Sequence, residues 1–288
     1  MTSACEALPA LCAAWVAILG AMVGSFLNVV VARVPHGLSI VRPGSRCPRC
    51  ATPIRWYDNL PVLSFLLLRG RCRTCKERIS ARYPLIEVMG ALVALVAYGR
   101  HGFSASALGE FAFAAALVAL AFIDLDNWLL PHVITWPLIA FGLVLGGFHL
   151  TPAGQLPAAA LGAALGFAAF ALVSWLGEKA FKKEALGFGD VWLLSGLCAF
   201  LGAKALLPVV LLASVEGAVV GVALILLGRL EKGPKVPKEG DPPQADEDAW
   251  VPPRHALPFG PFLVAGALEW LWLGHSIARL VPVLELFR

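Results

Sequence analysis

Long apolar runs, each closed by a short polar segment, set the rhythm of this chain from residue 10 to residue 274. A helix that crosses ~30 Å of hydrocarbon needs about 20 mostly apolar residues. Runs of that character stand at 10–32, 84–99, 106–123, 132–150, 156–178, 190–203, 205–228 and 258–274, and they predict eight spanning helices. The second and sixth are the shortest. The first has no basic residues in front and runs into polar sequence without a cleavage site, so it reads as a retained span rather than a secretory signal.

Between the spans, two segments are long enough to matter. Residues 33–83 form a basic, cysteine-bearing loop, and residues 231–256 are rich in proline and mixed charge without apolar periodicity, as expected of a flexible insertion. The predicted organisation is a first transmembrane helix (1–32), a loop domain (33–83), a transmembrane core (84–230), the insertion (231–256) and a last helix with the C-terminus (257–288). No internal repeat is evident.

Composition sharpens the class. With 59% hydrophobic and 15% charged residues and a mean hydropathy of +0.77, the chain lies outside the soluble range and reads as an all-α polytopic membrane protein. The net charge of +4 informs only through its distribution. With the N-terminus outside, 19 of the 23 Lys and Arg residues fall in segments 33–83, 179–189 and 229–257, on the cytoplasmic side. Eight crossings and the positive-inside bias therefore agree.

Four of the seven cysteines carry a metal pattern. Cys47-Pro-Arg-Cys50 and Cys72-Arg-Thr-Cys75 are two knuckles, each a tight turn that lets two thiolates bind one ion, and together they suit a closed tetrahedral zinc site. Redox dithiols or disulfides are the alternative, and no thioredoxin-like βαβ pattern surrounds them. Four protein ligands leave no open position, so the metal is structural. A loop with so little apolar core draws most of its folding free energy from the ion.

Two acids stand where lipid tolerates them least, Asp124 in AFIDLDNWLLP and Asp190 in LGFGDVWLL. An ionisable group in or beside the hydrocarbon marks a functional site by default. The predicted topology puts Asp124 at the cytoplasmic end of span three and Asp190 at the cytoplasmic start of span six, at the same depth on the same face. Gly187 and Gly189 permit backbone shapes closed to other residues and close packing of the turn. Asp190 then falls in a first helical turn, where free N–H groups and the helix dipole favour negative charge, although an ordinary capping role fits the same pattern. Asp126 lies about 200° around the helix from Asp124, so the two cannot face one partner. It is an auxiliary candidate, or an ordinary boundary acid. No HExxH, GxSxG, Walker or Rossmann pattern is present, and no nucleic-acid partner is expected.

These segments taken together resemble the type IV prepilin peptidases. The resemblance rests on GSFLNVVVARVP (24–35), the two knuckles, IRWYDNLPVLSFLLLRGRC (54–72), RYPLIE (82–87), IDLDNWLLP (123–131), LGFGD (186–190) and LPFGP (257–261). It implies a GxGD-type aspartyl protease of the bacterial inner membrane. Such an enzyme cuts the basic leader from prepilins and pseudopilins on the cytoplasmic side, then methylates the new N-terminal residue with S-adenosylmethionine. The catalytic pair carries over to Asp124 and Asp190, with Asp126 at a frequent second acid, and the cysteine loop to the methylating part. Asp58, Asn59, Gly70, Arg71 and Glu87 are polar or special positions in the matching segments and are candidates for the methyl-donor site. Three departures stand out: Trp192 where many members have Lys, Arg71 where Lys is commoner, and a longer 231–256 connection.

Two close carboxylates share one proton, which suits peptide hydrolysis with one acting as base and the other as acid. The competing readings are a peptidase without methylation and an ion-coupled transporter. The zinc loop and an expected lack of charges within the spans argue against the transporter. The sequence sets neither an oligomeric state nor the choice among prepilin substrates, and membrane lipid is the one further partner it requires.

Overall fold

The computed structural model describes residues 8–181, 187–227 and 257–287, so the proline-rich insertion lies outside the described residues. Eight long helices are described: α1 (Pro9–Arg33), α2 (Arg82–His101), α3 (Ala105–Asn127), α4 (His132–Gly147), α5 (Leu156–Phe181), α6 (Phe188–Leu201), α7 (Leu206–Leu226) and α8 (Gly260–Leu280). Each predicted span falls on one of them. By length and composition α1, α2, α3, α5 and α7 are able to cross a membrane, while α4 and α6 are shorter apolar helices. No strand occurs among the described residues.

The brevity of α6 has a packing cause. Its 14 residues rise only ~21 Å. Every residue from Leu193 to Leu201 is buried, so this helix meets neighbouring helices rather than lipid. Small residues let those neighbours approach. A Cβ on Gly162 of α5 would stand 2.2 Å from the Cys198 carbonyl oxygen, and one on Gly142 of α4 would meet Ala199 at 2.9 Å. Without a hydrophobic drive between helices in lipid, such close backbone contact is what holds them together. Asp190, in the first turn of α6, is thereby held half-buried at the edge of the bundle.

A second seam joins α1 to α2. Gly20 and Gly24 of α1 meet Gly90 and Glu87 of α2 so closely that a Cβ on Gly20 would lie 2.5 Å from the Gly90 carbonyl oxygen. Asn28 completes the seam, its Nδ2 donating to the Tyr83 carbonyl at 3.1 Å. The long loop therefore leaves and re-enters the bundle at one place.

The expected lack of charge within the spans is incorrect. Glu216 of α7 and Glu269 of α8 sit halfway along their helices and lie close to each other. Glu110, buried in α3, bonds His101 at 2.8 Å and accepts from Trp272 Nε1 at 3.0 Å. Each acid has polar company, which is what makes it tolerable in an apolar setting.

Candidate active site and metal centre

Three helix ends converge on the two aspartates. Helix α3 stops where Trp128 turns left-handed (φ 53°) and donates its N–H back to the Asp124 carbonyl at 2.9 Å. This places Asp124 in the last turn, with only 6% of its surface exposed. Its Oδ2 accepts the backbone N–H of Gly260, the first residue of α8, at 3.1 Å. Unpaired amides at a helix start attract negative charge, so α8 presents its favourable end to Asp124.

Asp190 enters from the start of α6, its N–H bonded to the Gly187 carbonyl at 3.0 Å. It is close enough to Asp124 for the two charges to repel. Its Oδ1 is buried without a hydrogen-bond partner among the described residues. Sequence places both carboxylates at one depth, and the structure brings them into electrostatic contact.

The glycines act through space rather than backbone freedom. Gly187 has an ordinary φ of −62° and Gly189 lies within α6, so neither needs a conformation closed to other residues. The close packing is real, however. A Cβ on Gly189 would meet Leu130 Cβ at 2.9 Å, and one on Gly260 would stand 2.5 Å from Asp124 Oδ2 and 3.4 Å from Leu130 Cδ1. Leu130, buried in the α3–α4 connection, thus touches both helix starts. Sequence reasoning missed Gly260 and Leu130 as site residues, although both stand in quoted segments, LPFGP and IDLDNWLLP.

Asp126 points elsewhere. It pairs with Arg82 at the start of α2, and the same guanidinium donates to the Phe122 carbonyl at 3.2 Å and lies 5.2 Å from the Phe122 ring. It braces α2 against α3 and does not join Asp124.

The cysteine loop is built twice. The sulfurs of Cys47, Cys50, Cys72 and Cys75 all lie within 4.8 Å of one another, with Cys47 and Cys75 at 3.7 Å. Tetrahedral zinc with Zn–S near 2.3 Å requires sulfurs ~3.8 Å apart, so the donor set fits that ion. Hydrogen bonding with Thr52 brings the Cys50 thiol down to about 6 and backbone hydrogen bonds from Cys75 and Thr74 lower Cys72, both favouring the thiolate, whereas desolvation pushes Cys75 up to about 12.

An internal repeat, not evident from the sequence reading, underlies this. Residues 45–54 (SRCPRCATPI) and 70–79 (GRCRTCKERI) share Arg, both Cys and Ile at equivalent places. Their hydrogen bonds match in turn: Cys47 N–H to Thr52 and Cys72 N–H to Glu77, Ile54 N–H to Ser45 and Ile79 N–H to Gly70. Each half closes on a left-handed residue, Ala51 (φ 54°) or Lys76 (φ 59°). An Arg49–Glu77 ion pair crosses between the halves.

The five methyl-donor candidates are spread over several elements. Asp58, in a 3₁₀ turn over Trp56–Asn59, is gripped by Arg73 through two bonds of 2.6 and 2.7 Å, which hold its carboxyl below the usual range. Asn59 ends that turn. Glu87 lies in α2 and accepts the Val62 N–H at 2.7 Å. Gly70, left-handed at φ 64°, and Arg71 lead into the second knuckle. Asp58 and Glu87 are therefore already engaged with protein groups.

Comparison with known proteins follows this division of the molecule. Residues 18–101 match the family described as Bacterial Peptidase A24 N-terminal domain, and residues 111–222 match the Type IV leader peptidase family. A Myxococcus xanthus protein named prepilin leader peptidase/N-methyltransferase is 40% identical over 92% of this chain and 91% of its own length. A Pseudomonas putida protein of the same name is 39% identical over 88% of each chain. A third, from Aeromonas hydrophila, is 38% identical over 94% of each. No solved structure matches.

Proposed function

The chain belongs to the type IV leader peptidase family, and from that premise we propose that it removes the basic leader of type IV prepilins and pseudopilins at the cytoplasmic face of the bacterial inner membrane. It then methylates the new N-terminus with S-adenosylmethionine. The observation that carries the peptidase half is the pairing of Asp124 with Asp190 where three helix ends meet.

The chemistry follows from two carboxylates that share a proton. The ionised carboxylate takes a proton from water, whose oxygen adds to the scissile carbonyl carbon. The protonated partner gives its proton to the carbonyl oxygen. Collapse of the tetrahedral carbon breaks the C–N bond: the proton taken from water passes to the departing amine, and one hydroxyl of the tetrahedral carbon returns its proton to the partner carboxylate. The Gly260 N–H fixes Asp124 through Oδ2, while the open Oδ1 of Asp190 can face the reacting atoms. The substrate's apolar segment lies among the spans with its leader in the cytosol.

Cys47, Cys50, Cys72 and Cys75 would hold zinc, which when bound supplies folding free energy rather than chemistry. Methyl transfer is placed on the loop side. S-adenosylmethionine would supply the methyl group there, with Asp58, Asn59, Gly70, Arg71 and Glu87 as the candidates for holding it. Asp126 supports the site from outside, through Arg82.

Mass spectrometry of a prepilin incubated with purified enzyme and methyl donor tests the peptidase assignment. Asp124→Asn and Asp190→Asn should each abolish leader removal while metal content and helicity stay unchanged. Complete leader removal by either variant would overturn it.

A further inference from the structure

Eleven Lys and Arg residues crowd the loop at 33–83 against Asp58 and Glu77. Even with the double negative charge of a zinc tetrathiolate included, the loop stays strongly positive. That charge is not spread evenly. Beside the second knuckle lies a cavity of about 430 Å³ lined by Leu68, Arg69, Arg71, Cys72, Arg73 and Lys76. Arg73 is neutralised by Asp58, whereas Arg69, Arg71 and Lys76 form no ion pair among the described residues.

The approach to this cavity is apolar. A short helix, Leu63–Leu67, leads directly into it, and its leucines Leu63, Leu66 and Leu67 are 59%, 64% and 79% exposed. Spaced three and four residues apart, they share one face. The helix stops on two successive left-handed residues, Arg69 (φ 51°) and Gly70 (φ 64°), and the Phe65 ring packs over Gly70. This reversal turns the chain straight from the leucines into the arginines.

Its depth is fixed as well. The N–H of Val62, just before the short helix, donates to Glu87 in the second turn of α2. The leucine face therefore begins level with the end of a spanning helix, where hydrocarbon gives way to headgroups.

We propose that this unit is a binding site for an anionic phospholipid. Leu63, Leu66 and Leu67 enter the acyl boundary while Arg69, Arg71 and Lys76 take the phosphate. Apolar burial combined with cations at headgroup level is the pattern that holds interfacial segments on anionic membranes. A soluble phosphate would use the cations but has no need of the leucines.

The full-length enzyme in neutral detergent, titrated with phosphatidylglycerol or phosphatidylcholine and read by native mass spectrometry, tests this. Wild type should retain phosphatidylglycerol in preference to phosphatidylcholine. Each single change, Arg69→Gln, Arg71→Gln or Lys76→Gln, should weaken that lipid about fivefold, and the triple variant on the order of 100-fold. Leu66→Asn/Leu67→Asn should weaken it too with metal content intact, which keeps the test valid if the triple variant loses zinc. Unchanged phosphatidylglycerol binding in the leucine variant, or in a zinc-replete triple variant, would overturn the proposal. So would displacement of the lipid by millimolar inorganic phosphate.

Discussion

Replacing Gly260 by alanine adds one methyl group at the most sensitive point of the site. That Cβ would stand 2.5 Å from Asp124 Oδ2 and 3.2 Å from its Cγ. Ordinary contact lies near 3.5 Å, so the carboxylate or the start of α8 must give way by about 1 Å. The hydrogen bond that positions Asp124 is lost in either case. A bond to a charged group contributes roughly 1.5–3 kcal/mol, which at about 1.4 kcal/mol per decade is ~10- to 100-fold in rate. A misplacement of about 1 Å at a reacting group predicts a loss at the upper end of that range. Helix propensity pulls the other way, since alanine favours a helix over glycine by about 1 kcal/mol. A loss of activity therefore reports on the site rather than on helix formation. Gly217→Ala is the control, because its Cβ would meet Phe262 at an unstrained 3.5 Å. The assay is leader removal from a prepilin under kcat/KM conditions, with methylation of an already cleaved pilin measured in parallel. Wild-type cleavage by Gly260→Ala would refute the idea that this amide positions Asp124.

Two further outcomes test the division of labour between loop and bundle. Cys72→Ser should release the metal, measured by atomic emission, and lower methylation more than cleavage in the same pilin digest; full methylation by the zinc-free variant would count against the loop's role. Asp126→Asn breaks a half-exposed pair with Arg82, so it should cost at most about 1 kcal/mol of stability and leave most of the cleavage activity, whereas complete loss would move Asp126 into the chemistry.

The parts of this molecule that sequence reveals are those written in side-chain type. Apolar runs mark the positions of all eight helices, and five of these, α1, α2, α3, α5 and α7, also have the length and composition to cross a membrane. Cysteine spacing gives the metal centre, and acids in apolar flanks give Asp124 and Asp190. Gly260 is harder to find because its contribution is a backbone N–H, which almost any residue has; only the missing Cβ is particular to glycine. The repeat in the cysteine loop escapes because four shared residues in ten, none in an apolar period, leave a faint trace, while the matching hydrogen bonds belong to the backbone. Glu216 and Glu269 escape because one acid scarcely lowers the hydropathy of a long run, and their mutual contact joins two helices separated by the insertion.

The glycine seam between α1 and α2 has a consequence for how the metal leaves and returns. Closing a loop costs entropy that grows with the logarithm of its length, and the seam holds the two ends of the cysteine loop together whether or not zinc is bound. The ion thus has only the interior of a tether already closed at its base to organise. Stripping it with a chelator should melt that tether while its anchor points stay in place. Returning the ion should rebuild the fold within a single molecule, at a rate that does not depend on protein concentration.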